Sequence, residues 1–447
     1  MSVQSKKKKG SLIASLCFVA ATAVLLGIFY FRFAEPFPET EPTISVPPQE
    51  TPVITQPSTA PTQPTQPTQP PVIKVSTATI GSTGDILLHD KVIKSGYDPE
   101  SGTYNYDDIF TLFSEFVTKV DYAVANLEVT LGGEEKGYSG YPSFNAPDSI
   151  VDALKNAGFD MLLTANNHSY DTGYSGFMRT QQIIKNASLA YIGTRENPED
   201  KNYAIAEVNG IKIGMICYTY NTGVDESGNV SLNEIPLNAQ ASTLVNSFDY
   251  RDLTGFYEKL AGELAQMRED GAEAIMLYVH WGEEYNTEPN DTQKKMAQEL
   301  CDLGIDVIVG NHAHVIQPVE LLTNRNDEHQ KTLCLYSMGN SLSNIRNSST
   351  RPVHCEDGLL FSVTFAKYSD GTVVIESADI LPTWVERHSV NGVAKYKILV
   401  MDGENPEEWN VAPEYLEKCM ESYERTQEIV AEGLLAANNW FAAQEIQ

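Results

Sequence analysis

An α/β fold is the class this sequence predicts, and two regularities predict it. Apolar runs of strand length alternate with helical periodicities from about residue 75 to residue 310. Most of those runs also end in short segments rich in Asp, Glu, Asn or His. The loops beyond the C-terminal ends of strands are where open α/β sheets keep their sites.

The chain has 447 residues and a formal net charge of −29. So acidic a balance argues against a nucleic-acid partner and against adhesion to anionic lipid, unless a bound metal inverts the sign locally. Its six Cys show no paired short spacing, so they form neither a zinc ribbon nor a disulfide framework, and most read as buried thiols.

Lys6 to Lys9 precede Ser11–Phe31, an apolar run of about the 20 residues that a bilayer crossing needs. A cleaved signal peptide is the alternative, but the run continues through Val24–Tyr30, past the small residues at Ala20–Ala23. Residues 1–10 therefore read as a cytoplasmic basic segment and 11–33 as a single transmembrane signal anchor, with the remainder extracellular at the cell membrane. Residues 34–74, rich in Pro, Thr and Gln, cannot bury enough apolar surface to fold and read as a disordered stalk. The folded domain is expected over residues 75–400. Residues 401–447 form an acidic helical segment whose Tyr415, Leu416, Cys419, Tyr423, Ile429 and Val430 give it an apolar face for docking.

Within the domain, Thr77–Ile80 reads as a strand running into Asp85, and Ile109–Val117 as a helix. Tyr122–Ala125 delivers Asn126-Leu127-Glu128. Asp148 is placed to cap a helix that Gly158 stops, and Phe159–Leu163 leads to Asn166-Asn167-His168 and Asp171. A helix over Ser175–Asn186 precedes the strand Ile211–Tyr218, and 221–247 has no clear period and reads as an insertion or surface loop. Beyond the helix Leu253–Arg268, Ala274–Val279 delivers His280-Trp281-Gly282. The helix Thr292–Leu303 leads to Ile305–Val309 and Gly310-Asn311-His312-Ala313-His314. Leu333–Tyr336 delivers Gly339-Asn340, and Leu359–Phe365 with Val373–Ile375 fit the closing edge of a sheet.

Five strand runs thus end in Asp85, Glu128, Asn167-His168, His280 and His312 with His314. Carboxylate and amide oxygens mixed with imidazoles suit Mn, Fe or Zn. So many candidates exceed one tetrahedral site and suit two divalent ions about 3.5–4 Å apart with a carboxylate between them.

These motifs, in this order, resemble the metallo-dependent phosphatase superfamily (calcineurin-like phosphoesterases), and more closely its CapA branch of poly-γ-glutamate capsule-biosynthesis proteins. The likeness rests on Gly84-Asp85, Asn126-Leu127-Glu128, Asn166-Asn167-His168 with Asp171, His280-Trp281-Gly282 with Glu284-Tyr285, Gly310 to His314, and Tyr336 to Asn340. It implies a four-layer sandwich in which two central β-sheets are flanked by helices. It implies that Asp85 ligates the first metal, that Glu128 bridges, that Asn167 and His280 hold the second, and that His312 and His314 are divided between the two. His168, oriented by Asp171, would serve as the acid or substrate contact rather than as a ligand. The implied partners are the membrane, an anionic envelope polymer such as poly-γ-glutamate, and membrane-bound components of a polymer synthase.

Two departures stand out. Phosphatases have Asp-x-His at the first strand end, whereas Ile86-Leu87 follow Asp85 here, and His89 is either the missing ligand or a surface loop residue. Glu128 is one methylene longer than the usual aspartate. Asn126, Trp281, Glu284, Tyr285 and Asn340 are further candidates for support of the ligands or for the substrate cleft, with core packing, solvated loop and turn as their plain alternatives. The expected function is metal-dependent hydrolysis in capsule or envelope polymer biosynthesis. The rival is a non-catalytic, metal-binding assembly or export factor that anchors an anionic polymer.

Overall fold

The computed structural model describes residues 71–444, apart from 349 and 352. The expected basic segment 1–10, the membrane anchor 11–33 and nearly all of the stalk 34–74 lie outside the described residues. Among the described residues no helix is long and apolar enough to cross a membrane.

In chain order, β1 (Lys74–Ile86) is followed by α1 (Asp90–Ser95), the hairpin β2 (Tyr97–Asp98) and β3 (Thr103–Tyr104), and α2 (Asp107–Val117). Next come β4 (Tyr122–Leu127), α3 (Ser149–Ala157), β5 (Met161–Leu163), α4 (Gly173–Asn186) and β6 (Ala190–Ile192). A second series opens with β7 (Tyr203–Val208) and β8 (Ile211–Tyr220), then the short β9 (Gly223–Val224), β10 (Val230–Leu232), β11 (Ile235–Pro236), α5 (Ala239–Leu244) and β12 (Ser247–Phe248). It continues with α6 (Leu253–Glu269), β13 (Ala274–His280), α7 (Asp291–Asp302), β14 (Val307–Asn311), β15 (Val319–Thr323) and β16 (Lys331–Leu335). Last come β17 (Asn340–Leu342), β18 (Asp357–Tyr368), β19 (Val373–Val390), β20 (Val393–Val400) and α8 (Pro413–Ala442).

Two sheets form the centre. One runs β20-β19-β18-β1-β4-β5-β6, with β17 also paired to β1; the other runs β12-β8-β13-β14-β16-β15, with β7 paired to β8. Period-two alternation makes both sheets two-faced. In β13, Met276 and Tyr278 join the core between the sheets, while Ile275, Leu277 and Val279 pack outward with residues of α6 and α7. On the far side of the first sheet Ala123 and Ala125 of β4 pack with residues of α2 and α3. The result is helices, sheet, sheet, helices. A hydrogen bond of 3.0 Å between Ser82 Oγ and Tyr278 OH joins the sheets across the core.

Because β1, β4, β5 and β6 are parallel, and β8, β13, β14 and β16 likewise, each series gathers its strand C-termini at one edge. Helix α8 adds Val430, Ala437 and Phe441 to the central core. Its Gly433 passes so close to β15 that an added Cβ would stand 1.8 Å from the Val319 carbonyl oxygen.

Three expectations are corrected. The stretch expected to close the edge lies inside the sheet: β18 pairs directly with β1, and β20 is the edge. The apolar cores of β18 and β19 mark only part of strands that run for 12 and 18 residues, so the apolar stretches alone do not reveal their place. Asp148 precedes α3 but makes no side-chain cap, since its carboxylate takes both ends of the Arg179 guanidinium at 2.6 and 2.7 Å. Region 221–247 is a small three-stranded sheet with α5, packed on Tyr170 and Phe177.

Candidate metal centre

The backbone sets the site before any side chain does. Gly84 stands beside a register shift in β1, and a Cβ there would lie 2.0 Å from the Gly339 carbonyl oxygen. Gly310 is the same device in β14, with a virtual Cβ 1.9 Å from the Tyr336 carbonyl oxygen. Both glycines let the segment before β17 press against the strand ends that carry Asp85 and His312. His312 and His314 have φ of 94° and 57°, a region that non-glycine residues enter at an energetic cost and that clusters at functional sites. The turn after β5 is held by Asn166, whose Nδ2 donates to the Leu127 carbonyl at 2.9 Å, and by Ser169 Oγ on the Thr164 carbonyl at 2.6 Å.

The strand ends bring together Asp85, Glu128, Asn167, His280, His312 and His314, all at most 3% exposed. Glu128, His280 and His312 each offer one ligand atom within 4.8 Å of the others, and Asp85, Glu128 and His314 make a second such group that shares Glu128. His280 Nε2 stands 2.7 Å from Asn167 Oδ1, 3.2 Å from His312 Nδ1 and 3.4 Å from Glu128 Oε1. On the other side His314 Nδ1 is 3.1 Å from Asp85 Oδ2 and 3.1 Å from Asn340 Oδ1.

Two buried carboxylates side by side are costly without a cation. Burial, then the neighbouring Asp85, pushes the Glu128 carboxyl well above its usual range. Asp85 moves the other way: burial raises it, but the bond to His314 and the fields of His314 and His280 outweigh that and hold it low. Burial drives the His280 imidazole down to about 3 and that of His312 well below its usual value. Both are thus neutral, the form that ligates metal. Both Glu128 oxygens and His280 Nδ1 are buried with no hydrogen-bond partner among the described residues. Native structures rarely leave such groups unpaired. The donor set therefore fits divalent cations, with Glu128 common to two positions.

His168 stands apart from the ligand groups. Its Nδ1 is 2.7 Å from Asp171 Oδ2, which also accepts from the Phe144 backbone N–H at 2.7 Å. Phe144 meets the imidazole edge-on at 4.7 Å. The ring lines a cleft of about 360 Å³ together with His89, Glu284, Tyr285, His314, Arg346 and Arg351. His89 belongs to neither ligand group; it precedes α1 and packs against Phe144 at 5.2 Å. Leu87, where the phosphatase pattern has a second histidine, is a buried apolar residue at the cleft. Tyr285, at φ 68°, carries Arg351 over its ring at 4.2 Å, and Glu284 is exposed at the rim.

Asn126 and Asn340 support the ligands. Asn126 Nδ2 donates to Asp85 Oδ1 at 2.7 Å, and Asn340 Nδ2 donates to the carbonyls of His314 and Cys355 at 3.2 and 2.8 Å. Trp281 does not line the cleft. It is fully buried and stacked on Tyr336, with its indole N–H on the Tyr336 carbonyl at 3.0 Å. At the end of a strand packed on α7 it points outward into the core while His280 points to the site.

Two residues at the site escaped the sequence reading. Asn233 Oδ1 accepts from Asn167 Nδ2 at 3.0 Å, which turns the Asn167 oxygen toward His280, and its own Nδ2 lies 3.3 Å from His168 Nδ1. Asn233 and Glu234 have φ of 46° and 62° and join β10 to β11, the two left-handed residues of a tight hairpin turn. The signal was Asn-Glu between Val230–Leu232 and Ile235. Tyr220, at the end of β8, packs its ring 4.9 Å from that of His312.

Residues 79–345, more than half of the chain, match the family described as bacterial capsule synthesis protein PGA_cap. The chain is 30% identical over 275 residues to the capsule biosynthesis protein CapA of Bacillus anthracis, a match covering 59% of each chain. It is 27% identical over 240 residues to the PGA biosynthesis protein CapA of Bacillus subtilis, covering 52% of this chain and 56% of the relative. A probable polyglutamine synthesis accessory protein of Mycobacterium tuberculosis is 24% identical over 211 residues, 46% of this chain and 52% of the relative. The chain therefore spans little more than half the length of the curated relatives it matches. The matched region runs from β1 through the residues that flank the centre, and on that match the chain belongs to the bacterial capsule synthesis protein PGA_cap family, in which the CapA proteins are its relatives.

Proposed function

We propose that the chain is a metal-dependent hydrolase of the phosphoesterase type, acting in the biosynthesis of a poly-γ-glutamate capsule or a related anionic envelope polymer. We place it outside the cell on the anchor 11–33. The observation that carries the chemistry is the Glu128 carboxylate, buried, unpartnered and common to two ligand groups. The polymer is supported by the relatives, named for capsule, PGA and polyglutamine synthesis.

In this reading Asp85, Glu128 and His314 hold one cation, and Glu128, Asn167, His280 and His312 the other. Bound there, divalent cations supply Lewis-acid polarisation of the ester and a water acidified to about neutral pH. The chain's own groups do the rest. Asp171 accepts from Nδ1 of His168, which orients the ring; in its imidazolium form His168 would then give the Nε2 proton to the departing oxygen and remain as the neutral Nδ1–H tautomer. Arg346 and Arg351 set positive charge beside that path, where it offsets the charge of an anionic substrate.

The test is elemental analysis of the full chain purified without chelator, then hydrolysis of phosphomonoesters, phosphodiesters and γ-glutamyl polymers with and without EDTA. The expected result is hydrolysis that EDTA abolishes and Mn, Fe or Zn restores. Failure to take up a transition metal overturns the reading. Leu87 in place of the usual histidine favours a second one, a polymer-binding assembly factor, for which metal would bind and no substrate would turn over.

A further inference from the structure

Outside the metal cleft the most distinctive surface is a groove of about 970 Å³ between α1, the β2–β3 hairpin and the β19–β20 turn. It is lined by Lys91, Lys94, Arg387 and Lys395 and by no carboxylate, in a chain with 60 acidic and 31 basic residues. Among the described residues none of these four cations lies within 4.0 Å of a carboxylate, whereas Arg179, Lys185 and Arg325 elsewhere are all paired. Three of the acids nearby in sequence have hydrogen-bond partners of their own. Asp90 accepts from the Gly140 N–H at 2.8 Å, Asp98 from the Glu100 N–H at 3.0 Å and Ser101 Oγ at 2.7 Å, and buried Glu386 pairs with His388 at 2.9 Å. Lys395 Nζ donates to the Ser95 carbonyl and Arg387 Nη1 to Asn344 Oδ1 at 2.9 Å, so among the described residues all four cations at the groove are without a bonded carboxylate.

The groove is also apolar. Tyr97, Val390 and Val393 are among its lining residues and are 44%, 43% and 41% exposed. Spaced cations on an apolar floor suit a chain whose charges are separated by methylene groups, since long aliphatic segments gain from apolar contact. Polyphosphate presents charge with no such surface. Arg387 lines a second pocket of about 330 Å³ together with Arg346, Lys418 and Trp384, which Glu356 and Glu421 also line. Arg346 in turn lines the cleft that holds His168. Shared arginines thus join groove and cleft.

We propose that this groove binds the pendant carboxylates of an extended anionic polypeptide and that Arg387 and Arg346 lead the chain from there to the metal cleft. The proposal rests on the reading of the cleft as the place where an anionic polymer is processed. Binding in the groove itself requires no metal.

The experiment measures binding of fluorescently labelled poly-γ-glutamate to the EDTA-treated full chain, by anisotropy at low and moderate salt. Affinity should fall steeply with salt, and Lys91→Glu with Lys94→Glu, or Arg387→Glu alone, should each weaken it about tenfold. Lys294→Glu with Lys295→Glu makes the same charge change on exposed positions of α7, and should leave affinity within about twofold. Thermal melts establish that every variant is folded. The proposal is overturned if the wild type does not bind, if groove variants behave like the α7 control, or if polyphosphate of equal charge competes as well as the polypeptide. Metal uptake and ester hydrolysis are measured separately, so failure of the metal reading leaves this result standing, and the reverse.

Discussion

Replacing Glu128 by Gln keeps the shape of the side chain and removes the one carboxylate that both ligand groups share. In metal-free protein this should be stabilising. Burial and the field of Asp85 hold the Glu128 carboxyl well above its ordinary value of 4.5, so between that value and the folded one the native state keeps a proton that the unfolded state has lost. The contribution of this carboxyl to stability therefore falls as pH rises through this window, by about 1.4 kcal/mol per pH unit, while His280 and His312 contribute the opposite slope alike in variant and wild type. The Gln variant has no proton to lose and should lack that slope. With cations present the sign reverses, because binding at about a thousandfold excess over Kd stabilises the native state by about 4 kcal/mol, and Gln offers both positions only a neutral oxygen. Urea unfolding of the full chain, in EDTA and in Mn²⁺, at about pH 5 and about pH 7, separates the two terms. A variant that in EDTA keeps the wild-type slope, or that in Mn²⁺ gains as much stability as the wild type, would refute the reasoning.

His168→Asn should lower turnover by about a hundredfold or more while leaving metal content intact; loss of metal would make His168 a ligand. Asn233→Ala frees the Asn167 amide to rotate and should weaken cation binding beside Asn167 about tenfold, read by calorimetric titration, as for other residues that orient ligands. Gly433→Ala places a methyl 1.8 Å from the Val319 carbonyl oxygen, and should cost about 2–3 kcal/mol in denaturant unfolding because backbone, not a flexible side chain, must move. Cys217, Cys355 and Cys419 are buried and unpaired, with thiols pushed up to about 12 by burial. A thiol reagent at about pH 8 should reach them only after unfolding.

Much of this molecule is legible in the sequence because two periodicities are local. Strand runs such as Ala274–Val279 and the helix before Gly158 announce themselves through nearest neighbours, and parallel strands carry their end residues to a common edge. That reasoning reaches Asp85, Glu128, Asn167, His280, His312 and His314. It could not place Trp281, because successive residues at a strand end face opposite layers and only the packing of α7 says which layer is core. Nor could it see β18 beside β1, since pairing between strands far apart in the chain leaves no local periodicity.

The centre divides the same way. The sequence by itself determined which groups sit at strand ends, and hence that oxygen and imidazole donors converge, because strand boundaries and chain direction follow from local pattern. Only the tertiary structure decided that Glu128 lies between two groups with both oxygens unpartnered, that Leu87 closes the place of the missing histidine, and that Asn233 reaches in from the β10–β11 turn to hold Asn167. Only it gathered Lys91, Lys94, Arg387 and Lys395, some 300 residues apart in the chain, around one groove. The reason is physical: burial and desolvation depend on everything within a few ångströms, and the chain brings those neighbours from distances that no sequence window spans.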